Sequence, residues 1–391
     1  MSSGVVAIVT VVITIATPGI AGAATSLGGE AQLSAVTCLP NGCTAAGDYV
    51  NAAGVEVPLV EHRSGSTWAI QTAPAPTGAV SSSLSGVSCA AGMRPSKSNC
   101  EAVGSFTDST GAQMAFSEFR RKRAGAVQTV PVPPGTESSN LSAVSCIGTD
   151  FCMAVGSDTN SKGVKAPLAE EGPFWTSETP PIPTGAKSSS LSSVSCVLSP
   201  LACTAVGSYT LKNGTRETLV DQWMPSGGWY LETSVNPSGA TSSDLLGVSC
   251  VTDTCSGVGD ETVSGATSTL AEQGLGTTWE LETTPNPTGS SSELSAVSCD
   301  PTYSCVAVGA DQNSTSDQAF AETWDGAQWM LQTTAIPKGA VADDLLGVSC
   351  TTTSACTAAG DRTNTNGDQI PLVEVWNGTS WAVQKNPKPP T

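Results

Sequence analysis

The same pair of short patterns recurs seven times along the chain, and a repeat of this length constrains the fold more than any other feature. One copy, LSAVSCIGTDFCMAVGSD, begins at Leu141. Its sisters are LSAVTCLPNGCTAAGD from Leu33, LSGVSCAAGMRPSKSNCEAVGS from Leu84, LSSVSCVLSPLACTAVGS from Leu191, LLGVSCVTDTCSGVGD from Leu245, LSAVSCDPTYSCVAVGA from Leu294 and LLGVSCTTTSACTAAGD from Leu345. The first cysteines fall at 38, 89, 146, 196, 250, 299 and 350, a period of 49 to 57 residues. Each unit continues with an apolar pair and an acid, such as Leu372-Val373-Glu374, and then a turn bearing tryptophan, such as Trp376-Asn377-Gly378-Thr379-Ser380-Trp381. A Pro-x-Pro-x-Gly linker closes the unit, as at Pro74–Gly78, Pro181–Gly185 and Pro285–Gly289.

Every unit carries four short strand candidates with turn residues between them. In the fourth unit these are Leu191–Cys196, Cys203–Val206, Thr218–Trp223 and Trp229–Glu232. The alternation has period two, with Leu372, Glu374 and Trp376 on one side of a strand and Val373 and Val375 on the other. Four strands per unit of about fifty residues is the pattern of a β-propeller blade. The fold expected is therefore an all-β, seven-bladed propeller with blades at about 33–83, 84–140, 141–190, 191–244, 245–293, 294–344 and 345–391. The first strand of each unit holds a small residue at Ala35, Gly86, Ala143, Ser193, Gly247, Ala296 and Gly347, which suits the crowded innermost position. Tryptophans 68, 175, 229, 279, 329 and 381 then mark the outermost strand. Gly156 is expected to form the turn after the second strand of its unit. No strand shared between the first and last blades is visible, unless residues 25–32 or the tail supply one.

These units resemble the repeats of secreted actinobacterial β-propeller proteins with LSxVSC…CxAVG…WxGxxW patterns, and more distantly YCF48-like and Asp-box repeats. The resemblance covers essentially all of the chain after its first 24 residues. Gly125 departs from it in place of the outer tryptophan of the second unit, as do Arg63 and Gly274 in place of the tryptophan after the acidic strand. The family implies an architecture and little about activity, because propellers host enzymes, receptors and scaffolds.

Fourteen cysteines form seven pairs, one per unit. Cys38 pairs with Cys43, Cys89 with Cys100, Cys146 with Cys152, Cys196 with Cys203, Cys250 with Cys255, Cys299 with Cys305 and Cys350 with Cys356. None is left over, as expected of a disulfide framework in an exported chain. Each pair lies at facing ends of two consecutive strands, where an antiparallel ladder brings the partners together. Zinc would need four ligands, and pairs on separate blades with His62 as the single histidine do not converge. Residues 1–24 are expected to be a signal peptide: an apolar stretch from Val5 to about Thr17 precedes Ala21-Gly22-Ala23. The expected location is extracellular or at the cell surface, with no membrane span in the remaining chain, which is expected to be a monomer.

The net charge of −18 disfavours nucleic acid or an anionic membrane as partner. Phe119–Arg123 is a local exception, expected to be a solvated basic loop. Glu61, Glu118, Glu170, Asp221, Glu272, Glu322 and Glu374 recur in the third strand, and are expected to accept hydrogen bonds from nearby backbone. The tryptophans are expected to pack between blades rather than to present a sugar platform. Asp361–Asp368 and Asp311–Asp317 offer oxygen ligands for calcium, but out of the order of an EF-hand, so no cofactor is expected. Sequons stand at Asn140, Asn213, Asn313 and Asn377. No catalytic or metal residues are assigned, because no nucleophile motif or phosphate loop is visible. The expectation is a binding or scaffold propeller for an extracellular protein or glycan. The alternative is a carbohydrate-active enzyme with its site at the channel mouth. Blades alike at the mouth would favour a scaffold, and a cluster of carboxylates, Arg and Tyr in a single blade would favour catalysis.

Overall fold

The computed structural model describes residues 30–90, 99–121, 124–148, 150–287, 291–312 and 316–390. Its described residues form twenty-eight strands, four to a blade. Five blades are separate four-stranded antiparallel sheets, and blades 5 and 6 join into one sheet through a single parallel bridge, Thr267 to Ser291. The fourth blade is typical: Ala186–Leu198 lies innermost, followed by Leu201–Leu211, Arg216–Met224 and the short outer strand Gly228–Leu231. The seven-bladed propeller is thus the observed architecture. The expected signal segment lies outside the described residues.

The inner strands start upstream of the leucine that marks each repeat, at Ala31, Ala79, Thr136, Ala186, Ala240, Ser291 and Ala340. Five linkers deliver the chain to this start through a tight turn. Ala186 N–H donates to Pro183 C=O at 3.1 Å, with Gly185 at φ 86°, a conformation that glycine adopts without strain. The leucine that follows, such as Leu191 or Leu245, is fully buried between blades.

Immediately after that leucine the register slips in every inner strand, for example between Leu191 and Ser193. The extra residue is a β-bulge, and the bulged residues Ser34, Ser85, Ser142, Ser192, Leu246, Ser295 and Leu346 line the axial channel. The bulge presses the inner backbone onto the second strand. A Cβ on Gly207 would stand 2.1 Å from Ser190 O, and one on Gly156 2.1 Å from Asn140 O. The glycine of Ala-Val-Gly is therefore a mid-strand requirement. Gly156, expected as a turn, lies inside Phe151–Asn160 opposite Leu141. The small residues lie on the crowded innermost strand as expected, and the crowding comes from the neighbouring blade: a Cβ on Gly247 would stand 2.8 Å from Ala296 Cα.

All seven disulfides form as paired in the sequence. Cys38 faces Cys43, Cys89 faces Cys100, Cys146 faces Cys152 and Cys196 faces Cys203 across their hairpins, with Cα atoms 4.0 Å apart. Cys250 with Cys255, Cys299 with Cys305 and Cys350 with Cys356 repeat the same 4.0 Å separation. Closing loops this short contributes roughly 2 kcal/mol each. The same cysteines also tie the blades to one another. Cys196 N–H donates to Ser145 Oγ of the preceding blade at 3.0 Å, and Cys250 N–H to Ser195 Oγ at 3.0 Å. The remaining blades repeat this bond, with Thr37 replacing serine once, and Cys38 N–H to Ser349 Oγ at 2.9 Å closes the circle. The Ser-Cys of the repeat is thus a link between blades as well as a staple within one. No strand is shared between blades 7 and 1 among the described residues. The tail instead crosses to the first blade, where Asn386 Nδ2 donates to Glu61 Oε2 at 2.8 Å.

Candidate functional site

The two ends of the channel differ. One end carries the disulfide hairpins; the other carries the linkers and the turns between second and third strands. At the linker end, the residue just before each buried leucine lies two positions from the channel-lining bulge. These residues are Gln32, Ser83, Asn140, Ser190, Asp244, Glu293 and Asp344. Their cross-strand partners are Asp48, Ser105, Ser157, Ser208, Asp260, Ala310 and Asp361. Blades 2 to 4 thus present serine and asparagine, while blades 5, 6, 7 and 1 present carboxylates. This ring of positions is acidic on one side only, and Asp48, Asp244 and Asp361 in it are buried.

The carboxylates of this crescent sense one another. Burial, and then Asp244 and Glu293, push Asp260 up to about 7. Burial, followed by Asp361, Asp317, Glu293 and Asp343, pushes Asp344 up to about 7. Asp48 is raised to about 6, chiefly by burial, with the amide of Gln32 donating to it at 2.9 Å and opposing the shift. Held above the usual carboxylate range, these groups can accept a hydrogen bond or give a proton to a neighbouring oxygen near neutral pH. Arg216 joins them: its Nη2 lies 2.5 Å from Asp244 Oδ1, while its Nε donates to Ser208 Oγ at 2.8 Å, and Lys165 also senses Asp244. On the same hairpin, Tyr209 Oη donates to Glu217. The blades are therefore unlike at the mouth, contrary to their similarity in the repeat patterns.

The seven third-strand acids are a separate set. All are buried, with exposures of 0–1%. Two accept from the linker of the preceding blade: Val235 N–H donates to Glu272 at 3.4 Å and Ala335 N–H to Glu374 at 2.9 Å. The backbone-accepting role expected of all seven is seen at these two, whereas Glu61 accepts from the Asn386 side chain and Glu118 from Arg120. Burial raises Glu61, Glu170, Asp221 and Glu322 to about 8, so they are held largely neutral.

The tryptophans pack as core: Trp68, Trp279, Trp329 and Trp381 are buried, and Trp229 is half-buried. Trp175 is buried too, but it occupies the turn before the outer strand, at φ 36°. In the second blade, Arg120 and Glu118 fill the place of the missing tryptophan. Arg120 is ion-paired to Glu118, and a Cβ on Gly125 would overlap Glu118 Oε1. The basic loop expected at Phe119–Arg123 is corrected accordingly. Residues 119–121 belong to the third strand and Arg120 is buried at 2% exposure, while 122 and 123 lie outside the described residues.

Among the described residues, no three His, Cys, Asp or Glu side chains are grouped to hold a metal ion. In the loop expected as a calcium candidate, Asn364 Oδ1 accepts from Asn366 N–H and Asp368 N–H, so the turn satisfies its own oxygens. In the second such loop, residues 313–315, with the sequon at Asn313, lie outside the described residues. His62 Nδ1 lies 3.2 Å from Thr44 Oγ1 within the first blade.

No protein-family model and no curated protein matches the sequence. Solved structures resemble it in fold. A puromycin-hydrolyzing peptidase of Mycobacterium tuberculosis matches 91% of this chain over 52% of its own, at 10% identity and TM-score 0.54. A puromycin hydrolase matches 90% over 53% of its own, at 8% identity and TM-score 0.59. The β-propeller domain of the trilobed protease from Pyrococcus furiosus, described as having an open velcro topology, matches 92% over its full length, at 6% identity and TM-score 0.47. The chain spans about half the length of the two hydrolases it matches. At such identities the likeness is one of fold.

Proposed function

We propose that the protein is an exported, monomeric binding propeller that takes an extracellular protein or glycan at the linker end of its channel. Export is supported by seven disulfides, which persist in oxidising compartments, and no helix among the described residues is long and apolar enough to cross a membrane. The observation carrying the binding role is the one-sided crescent of Asp48, Asp244, Asp260, Glu293, Asp344 and Asp361 on an otherwise repeated frame. Its chemistry selects a ligand with a cationic group, such as an amino sugar or a basic side chain, and the serine side accepts neutral hydroxyls. An array carrying amine-bearing and neutral glycans beside basic peptides tests this. Binding to the amine-bearing members is expected, with loss of affinity when Asp260→Asn and Asp344→Asn are combined. Uniform binding to all members, or none, would overturn it.

One observation favours a hydrolase as the second reading. Tyr209 and Glu217 form a hydroxyl–carboxylate pair on the hairpin that supplies Arg216, an arrangement compatible with a tyrosine nucleophile in glycoside cleavage. Release of reducing sugar from any array member, lost in Tyr209→Phe, would replace the binding role with this one.

A further inference from the structure

A second concavity opens at the linker end as well, and it shares no lining residue with the channel. It encloses about 610 Å³ on the seventh blade, between the third strand and the tail that follows Val383. Four of the sixteen Lys and Arg residues of this acidic chain line it: Lys338, Arg362, Lys385 and Lys388. None of the three lysines takes part in the ion pairs Arg120–Glu118 and Arg216–Asp244. One carboxylate lies among them, that of Asp368, and it accepts from Asn364 Nδ2 at 2.9 Å. The floor between the cations is apolar, formed by Ile370, Leu372 and Val383.

The position follows from a residue pair that differs between blades. In blades 4 and 5 a linker asparagine is pinned to the third strand: Thr218 N–H donates to Asn236 Oδ1 at 3.0 Å, and Thr269 N–H to Asn286 Oδ1 at 2.8 Å. In blade 7 the two positions hold Pro371 and Lys388, which supply neither the N–H nor the amide oxygen. The tail is held instead by Asn386, two residues earlier, whose partner is Glu61 of the first blade. Not pinned to its own third strand at Lys388, the tail stands over an open cavity and lends it a cation.

We infer that this cavity binds a short acidic peptide segment of a partner protein, its carboxylates on the rim cations and an apolar side chain on the Ile370–Val383 floor. A cavity of this size lies within the 300–1,000 Å³ range of ligand sites. No aromatic ring lines it on which a sugar could stack. The overall charge of −18 opposes an acidic ligand at long range, but that field is screened within about 8 Å at physiological salt, and the rim cations act inside that distance. Arg362 follows Asp361 directly, so the two project from opposite faces of the blade, while Asp343 stands opposite Arg362 in the ladder.

Fluorescence anisotropy of the full chain with a labelled peptide of alternating glutamate and leucine tests the inference. Saturable binding is expected, weakened by added salt and reduced about tenfold or more when Lys385→Glu and Lys388→Glu are combined. Val383→Asp, which charges the floor at a part-exposed position, should weaken binding as well. The distant pair Lys187→Glu with Lys212→Glu, and the mouth pair Asp260→Asn with Asp344→Asn, should leave affinity unchanged, which separates this site from the crescent. Equal binding of a lysine–leucine peptide, tighter binding of an oligogalacturonate probe, or equal loss in the distant pair would each overturn it.

Discussion

The disulfide end and the linker end of the channel are built from the same seven repeats, yet only one of them is uniform. At the disulfide end every blade makes the same cysteine staple and the same bond from a cysteine N–H to its neighbour's hydroxyl. At the linker end, blades 2 to 4 offer serine and asparagine, where blades 5 to 7 and 1 offer carboxylates. Closure of a ring demands equal wedges, so residues that set the wedge are repeated. Residues that do not set the wedge are free to differ.

The comparison is broken most severely at the bulge. Gly207→Ala places a Cβ 2.1 Å from Ser190 O, backbone that cannot move without disturbing the inner ring. A loss of more than about 3 kcal/mol in chemical denaturation is expected, and a loss below about 1 kcal/mol would show that the bulge relaxes. The next effect is one of pH. Burial raises Glu322 from 4.5 to about 8, so the folded state holds its proton where the unfolded state has released it. The resulting penalty is absent below pH 4.5, grows as pH rises through that window, and is complete above about 8. The melting temperature should therefore fall across that window, and Glu322→Gln should flatten the slope. An equal slope in the variant would place the dependence elsewhere. The smallest effect sharpens the contrast: Ser195→Ala removes one blade-to-blade bond and should cost about 1 kcal/mol in the same denaturation assay. Asp344→Asn, at the individual end, should leave stability at neutral pH unchanged or improved, because it removes a carboxylate crowded by others.

The periodic features were legible in the sequence. Blade number, cysteine pairing, small inner residues and buried acids each recur seven times, and repetition gives their register without coordinates. What escaped depends on a register known only after folding. Gly156 looks like a turn residue until the slip at Leu141 sets it against Asn140 O. Arg120 looks like part of a basic loop until it meets Glu118 across from Gly125. The crescent could have been found by aligning the residue before each leucine, from Gln32 to Asp344, had the inner strand been started earlier. Pairs such as Tyr209 with Glu217, eight residues apart, become neighbours only across a hairpin of defined length.

Closure by side-chain links and a strap has a further consequence. Each blade is encoded by one uninterrupted stretch of chain, and no sheet is assembled from both ends of the described chain. Duplicating or deleting one repeat would therefore add or remove a complete wedge that already carries both halves of its seams. Such a ring can change size by unequal recombination between repeats, a route closed to propellers whose last sheet is stitched from distant segments.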